Sequence, residues 1–224
     1  MISVIIPIYN EEKILERNAS FFQRLSGQVE LIFVDGGSID RSVEFAASYS
    51  KVLRSEKGRA RQMNYGIEKA RHDTLLLLHA DATLSAGVIL SIEKQLSRNG
   101  IVGGCLTQLI DKGGVIYRVI EAQGNLRARL SKVFYGDQGI FVKKDVFLKI
   151  GGFPEVPIME DVLFSRKLRH AGKTVVLADK IVVSPRRWER KGVIKTALLF
   201  NFIIILFRLG CPLEKIKLLY DDLR

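Results

Sequence analysis

Four short segments of this 224-residue chain carry residue types that could do chemistry on a polar, phosphate-bearing substrate. Glu160 and Asp161 open a segment with helical periodicity, Val162 to Leu168. A carboxylate there can accept the proton of an attacking hydroxyl, which is a poor nucleophile until that proton is taken. The same acids could instead only cap a helix dipole. Asp81, in His79-Ala80-Asp81, is a hard oxygen ligand of the kind that holds Mg²⁺ or Mn²⁺ against phosphate oxygens. His79 beside it could donate to a ribose, ligate Mn²⁺ weakly, or be a satisfied structural histidine. Asp35 follows an apolar run directly, a costly place for an acid unless something at the strand end uses it, as the base or ribose of a nucleotide would. Gly58-Arg59-Ala60-Arg61 opens a helical segment with two cations, where a diphosphate could meet guanidinium groups and a helix N-terminus together.

The elements that must position these residues are legible as period. Val4-Ile5-Ile6, Leu31-Ile32-Phe33-Val34 and Leu75-Leu76-Leu77-Leu78 lack polar alternation, as strands covered on both faces do. Helical spacing lies between them, at Glu11 to Leu25, Asp40 to Tyr49 and Arg59 to Ala70; the last carries Ala60, Met63, Ile67 and Ala70 on one stripe. Alternation of this kind predicts an α/β fold with a mostly parallel central sheet flanked by helices. Ligands of such sheets bind beyond the carboxyl ends of the strands, where Asn10, Glu11, Asp35, His79 and Asp81 fall. After Asp81 the pattern weakens into a glycine-rich edge containing Gly103 and Gly104, a helix near Ile116 to Leu130, then Gly136-Asp137-Gln138 and the apolar Ile140-Phe141-Val142. The expected organisation is one domain over 1–190, with a nucleotide-binding half (1–83) and an acceptor half (84–190), followed by a helical extension over 191–224.

Composition narrows the partners. Apolar residues make up 47% of the chain, enough for a sizeable core, and the net charge of +11 suits phosphate-bearing ligands or anionic lipid headgroups. Its cations and aromatics lack the interleaving of single-strand platforms, so no nucleic acid partner is expected. Cys105 and Cys211 have no metal or disulfide spacing, and Met1 to Pro7 reads as a strand and not as a secretion signal, which together predict a cytoplasmic protein. Thr196 to Phe207 is apolar but too short to span a bilayer; packing against the domain or a partner subunit, as in a homodimer, is the favoured reading. Lys191, Lys195, Arg208, Lys215 and Lys217 around it keep a peripheral membrane contact as the second.

Val4-Ile5-Ile6-Pro7-Ile8-Tyr9-Asn10-Glu11, Val34-Asp35-Gly36-Gly37-Ser38-Ile39-Asp40, His79-Ala80-Asp81, Met159-Glu160-Asp161 and Arg186-Arg187-Trp188 stand in the order and spacing that resemble the family 2 inverting glycosyltransferases of GT-A fold. Within that family the likeness is strongest to small members associated with arsenosugar or carotenoid-acid biosynthesis. The resemblance implies metal-assisted transfer of a sugar from a nucleotide diphosphate donor, UDP in first place, to an acceptor hydroxyl. It implies donor contacts from Pro7, Tyr9, Asn10, Glu11, Asp35, Ser38, Arg59, Asn64, His79, Asp81, Arg187 and Trp188, with Asp81 on Mn²⁺ or Mg²⁺. It places Asp161 as the base with Glu160 beside it, and Gly136, Asp137 and Gln138 along the acceptor. The chain departs from the family in His79, which stands where the first acid of an Asp-x-Asp pair is usual, and in lacking the glutamine usual upstream of Arg-Trp. Two rival readings are a non-catalytic nucleotide-sugar or membrane-surface module and a sugar nucleotidyltransferase. The second would need a glycine-rich triphosphate loop, and Pro7-Ile8-Tyr9-Asn10 is not one.

Overall fold

A computed structural model describes residues 1–221, the side chains of Arg187, Arg190, Lys191 and Asp221 excepted. The strands are β1 (Ile2–Ile8), β2 (Glu30–Asp35), β3 (Lys51–Arg54), β4 (Thr74–Leu77), β5 (Ala82–Leu84), β6 (Ile101–Ile110), β7 (Phe141–Lys143) and β8 (Lys173–Val183). They form one sheet in the order β3-β2-β1-β4-β7-β6-β8-β5. The helices are α1 (Glu12–Arg17), α2 (Ala19–Ser26), α3 (Ser42–Ala47), α4 (Arg59–Lys69), α5 (Val88–Leu96), α6 (Val115–Ser131), α7 (Lys144–Lys149), α8 (Glu160–Ala171), α9 (Arg186–Lys191), α10 (Val193–Arg208) and α11 (Leu213–Asp221).

The first four strands pair in parallel, and the register sets Ile8 beside Asp35 and Ile5 beside Leu77, so their carboxyl ends share one edge. Alternate side chains of β1 enter different layers: Val4 and Ile6 join one apolar cluster and Ile5 joins the other. A strand buried on both faces has no position left for a polar residue, which is why its apolar run is unbroken. β7 then runs antiparallel between β4 and β6, while β6 returns to a parallel pairing with β8.

Two sequence expectations change here. Gly103 and Gly104 lie inside the sheet and not at its edge, on the ten-residue strand β6 between β7 and β8. A Cβ on Gly104 would sit 2.0 Å from the carbonyl oxygen of Val175, so only glycine lets the strands approach this closely. The single helix expected over Glu11 to Leu25 is two, broken at Asn18. The Asn18 carboxamide donates to the Ala80 carbonyl oxygen at 3.0 Å, and the Asn18 backbone carbonyl accepts from the N–H groups of Phe21 and Phe22.

Helix α4 lies close against β1 and β2 because Gly66 faces them. A methyl group at that position would stand 2.6 Å from Cγ2 of Ile5 and 2.8 Å from Cγ2 of Val34, both in the closed core. Gly66→Ala is therefore expected to destabilise the fold by about 1–3 kcal/mol through overpacking, read as a lower urea midpoint at unchanged slope. The C-terminal helices close against the segment that leads into α8: Ile203 of α10 and Ile216 of α11 bury against Ile158. No described helix is long and apolar enough to cross a membrane.

Candidate active site

The loops after β1 and β2 are laced together by reciprocal bonds. Asn10 N–H donates to Ser38 Oγ and Ile39 N–H donates to Asn10 Oδ1, each at 2.9 Å. Asn10 holds φ of +53°, a conformation that asparagine tolerates better than most residues. Asp35 is 2% exposed, and its carboxylate accepts from the N–H groups of Gly37 and Ser38 at 3.1 Å each. Gln62 of α4 braces the same place, its amide donating to the carbonyl oxygens of Ile8 at 2.9 Å and Val34 at 2.7 Å. Tyr9 remains partly exposed beneath the Lys57 ammonium, 3.9 Å from the ring centre, and Pro7 pairs within the sheet beside Val34.

Beyond this edge Arg186 joins two acids. Its guanidinium lies 3.1 Å from Glu11 and 3.6 Å from Asp81. In sequence Arg186 is indistinguishable from Arg187, the residue expected on the donor, whose side chain lies outside the described residues. Trp188, expected on the donor, stands in a T-shaped contact with Phe200, ring centres 5.3 Å apart, which ties α9 to α10.

A small cavity lies beside these acids, lined by Arg59, His79, Gly136, Phe153, Glu160 and Asp161 among others. Glu160 is 6% exposed and faces Arg59 Nη1 at 3.6 Å, so the guanidinium expected on a diphosphate neutralises an internal acid. Asp161 Oδ2 accepts the Gly136 N–H at 2.6 Å and Oδ1 accepts its neighbour Val162 N–H at 2.7 Å. A Cβ at Gly136 would lie 2.8 Å from Nε2 of His79, so a side chain there would displace the imidazole. Burial first, and then the Glu160 charge, push the Asp161 carboxyl up to about 7, against the pull of the Gly136 N–H and Arg59.

The raised carboxyl acts on turnover and on stability in opposite directions. A base must be ionised, so turnover is expected to rise with pH through about 7 and level off above it. Stability runs the other way, because the folded acid holds its proton up to about 7 while an unfolded one releases it near 3.8; the contribution is complete below that lower value and declines as pH rises between the two. Turnover and urea midpoints measured across this range check both limbs.

The Asn64 carboxamide, expected on the nucleotide, bonds both backbone groups of Phe153, at 2.8 and 3.0 Å. Gln138, expected along the acceptor, is fully buried and its Oε1 accepts the Tyr135 N–H at 3.0 Å, shaping the turn from inside. Asp137 is partly exposed and takes a hydrogen bond from Gln108 Nε2 at 2.8 Å. Among the described residues no three His, Cys, Asp or Glu side chains gather as a metal-holding group. A cation here would rest on one or two carboxylates, with Asp81 and Glu11 facing a shared positive charge as the pair that suits it.

A sheet that turns from parallel to antiparallel pairing at β7, with acids gathered beyond the carboxyl ends of its first strands, has the GT-A fold. The chain belongs to glycosyl transferase family 2, whose match covers residues 3–153. It is 31% identical over 182 residues to an uncharacterized glycosyltransferase of Haemophilus influenzae, a match that takes in 75% of this chain and 62% of that protein's length. The mannosyltransferase PcManGT of Pyrobaculum calidifontis, solved in complex with GDP-Man and Mn²⁺, superposes with a TM-score of 0.65 at 20% identity, over 81% of this chain and 56% of that one. S. aureus TarS, solved with UDP-GlcNAc, superposes at 0.60 and 18% identity, over 82% of this chain and 58% of that one.

Proposed function

We propose that this glycosyltransferase works by inversion, moving a sugar from a nucleotide diphosphate donor, UDP in first place, to the hydroxyl of an acceptor. The observation that carries the reading is Asp161: a carboxylate seated in a cavity at the carboxyl edge of the sheet, fixed by the Gly136 N–H and raised toward neutral pH. Such a group accepts a proton from an attacking hydroxyl as the sugar's bond to the diphosphate breaks on the opposite face. Glu160, matched by Arg59 and lining the same cavity, adjusts the affinity of Asp161 for that proton. Asn10, Asp35 and Ser38 frame the nucleoside end, with Tyr9 exposed beside them. Arg186 stands where the leaving diphosphate would gather charge. A divalent cation, Mn²⁺ or Mg²⁺, held by Asp81 with Glu11 alongside, would supply further neutralisation of that diphosphate. The mannosyltransferase solved with GDP-Man and Mn²⁺ and TarS with UDP-GlcNAc support both a nucleotide-sugar donor and the cation.

Isothermal titration with UDP, GDP and dTDP, each with and without Mn²⁺, tests the donor side. One nucleotide should bind, and more tightly with the cation. If none binds under either condition, the transferase reading fails for this chain and the nucleotide-sugar or membrane-surface module takes its place.

A further inference from the structure

Two helices leave apolar stripes in solvent. On α6 the exposed side chains are Val115, Val119, Leu126 and Leu130, spaced so that they fall along one face. On α10 they are Ile194, Leu198, Phe202, Ile205 and Leu209, the last at its C-terminal cap, again along one face. A hydrogen bond from Gln123 Nε2 to Asn201 Oδ1 at 3.0 Å links the two stripe-bearing helices at mid-length. The inner face of α10 is already satisfied, since Thr196 and Ile203 are buried and Phe200 meets Trp188. The outer stripes therefore have no described partner within the chain.

Charge says what covers them. Lys195 and Arg208 flank the α10 stripe, Arg129 flanks that of α6, and Lys215 and Lys217 stand on the adjoining α11. Among the described residues none of these cations is paired with a carboxylate, in a chain of net charge +11. A second copy of the chain would bring the same cations to the interface and repel it, whereas a layer of lipid phosphates complements them. Apolar side chains with a basic border on helices too short to cross a bilayer are the pattern of a protein that lies in the headgroup region.

We propose that the joined stripes of α6 and α10 dock this protein on an anionic bilayer surface. The same elements adjoin the acid at the cavity: α6 leads through Phe134 into the turn whose Gly136 binds Asp161, and α10 with α11 packs on Ile158 and Met159 just before Glu160. Docking would thus bring the acceptor side of the cavity towards the lipid.

Flotation of the whole chain with vesicles tests this, using phosphatidylcholine alone against equal parts of phosphatidylcholine and phosphatidylglycerol. The protein should float with the mixed vesicles, float less with phosphatidylcholine alone, and be released by high salt. Leu126→Glu with Leu198→Glu should weaken binding by roughly a hundredfold, about tenfold for each apolar side chain withdrawn from lipid. Leu90→Glu, an exposed apolar position on α5, should leave it unchanged. All three sites are on the surface, and an unaltered circular dichroism melt confirms that the variants fold. Failure to float with anionic vesicles overturns the proposal, as does equal flotation of the double variant. A dimer that the double variant converts to a monomer without any vesicle binding would overturn it in favour of a second copy. Flotation requires no sugar transfer, so its failure leaves the nucleotide titration to be judged separately.

Discussion

Asp161→Asn is expected to lower turnover by about 10²–10⁴-fold while leaving nucleotide affinity nearly unchanged. Asparagine keeps the size of the side chain, and its carbonyl oxygen can still accept the Gly136 N–H that Asp161 Oδ2 accepts at 2.6 Å. What disappears is the capacity to take a proton. The rise in turnover through pH 7 should vanish with it, because the group that titrates there is gone. Glu160→Gln provides the internal comparison: removing the neighbouring negative charge lets Asp161 ionise more readily, so the rising limb should move to lower pH while turnover persists. Unchanged turnover in Asp161→Asn would remove it as the base. Loss of nucleotide affinity in parallel would mean that the substitution had disturbed the cavity and not the chemistry.

Asp81→Ala is expected to abolish the increment that Mn²⁺ adds to nucleotide affinity, a coupling typically worth about 5–150-fold. Asp81 and Glu11 share the Arg186 guanidinium, at 3.6 and 3.1 Å. The variant leaves Glu11 still paired and the cation with at most one protein carboxylate. Titration of the same nucleotide with and without Mn²⁺, in both proteins, reads the effect directly. Equal affinity gain in the two would show that Asp81 does not hold the metal. Arg186 separates a second contribution: Arg186→Ala should weaken nucleotide binding in the absence of metal as well, since a guanidinium attracts the diphosphate on its own account.

Much of the first eighty residues was legible because their signals are local. Unbroken apolar runs mark β1, β2 and β4, and the stripe from Ala60 to Ala70 marks α4, since burial on one or two faces leaves a period in the chain. The strand-end acids follow from the same reading. β3 escaped it because Val52 and Leu53 are its only apolar residues and the strand lies at an exposed edge. The interior place of Gly103 and Gly104 escaped because glycine has no side chain to report on burial, and the reason for it, the carbonyl of Val175, is distant in sequence. Among site residues, whether a polar side chain faces a ligand or its own fold depends on its partners in space, which are distant in sequence. Asn64 and Gln138 bond backbone groups, Trp188 packs on Phe200, and Arg59 faces Glu160. Arg186 was passed over for Arg187 because two adjacent arginines carry the same message until the start of α9 points one of them at Asp81.

The Gln62 brace gives the donor edge a mechanical character. One carboxamide grips carbonyl groups at the ends of two neighbouring strands, that of Ile8 and that of Val34, from a helix whose first residue, Arg59, faces the acids of the cavity. A displacement at Arg59 is then expected to reach both strand ends through a single turn of helix. Occupation of the cavity should therefore be felt as slower amide exchange at Gly36, whose N–H is held by the carbonyl of Ile8 and which does not line the cavity.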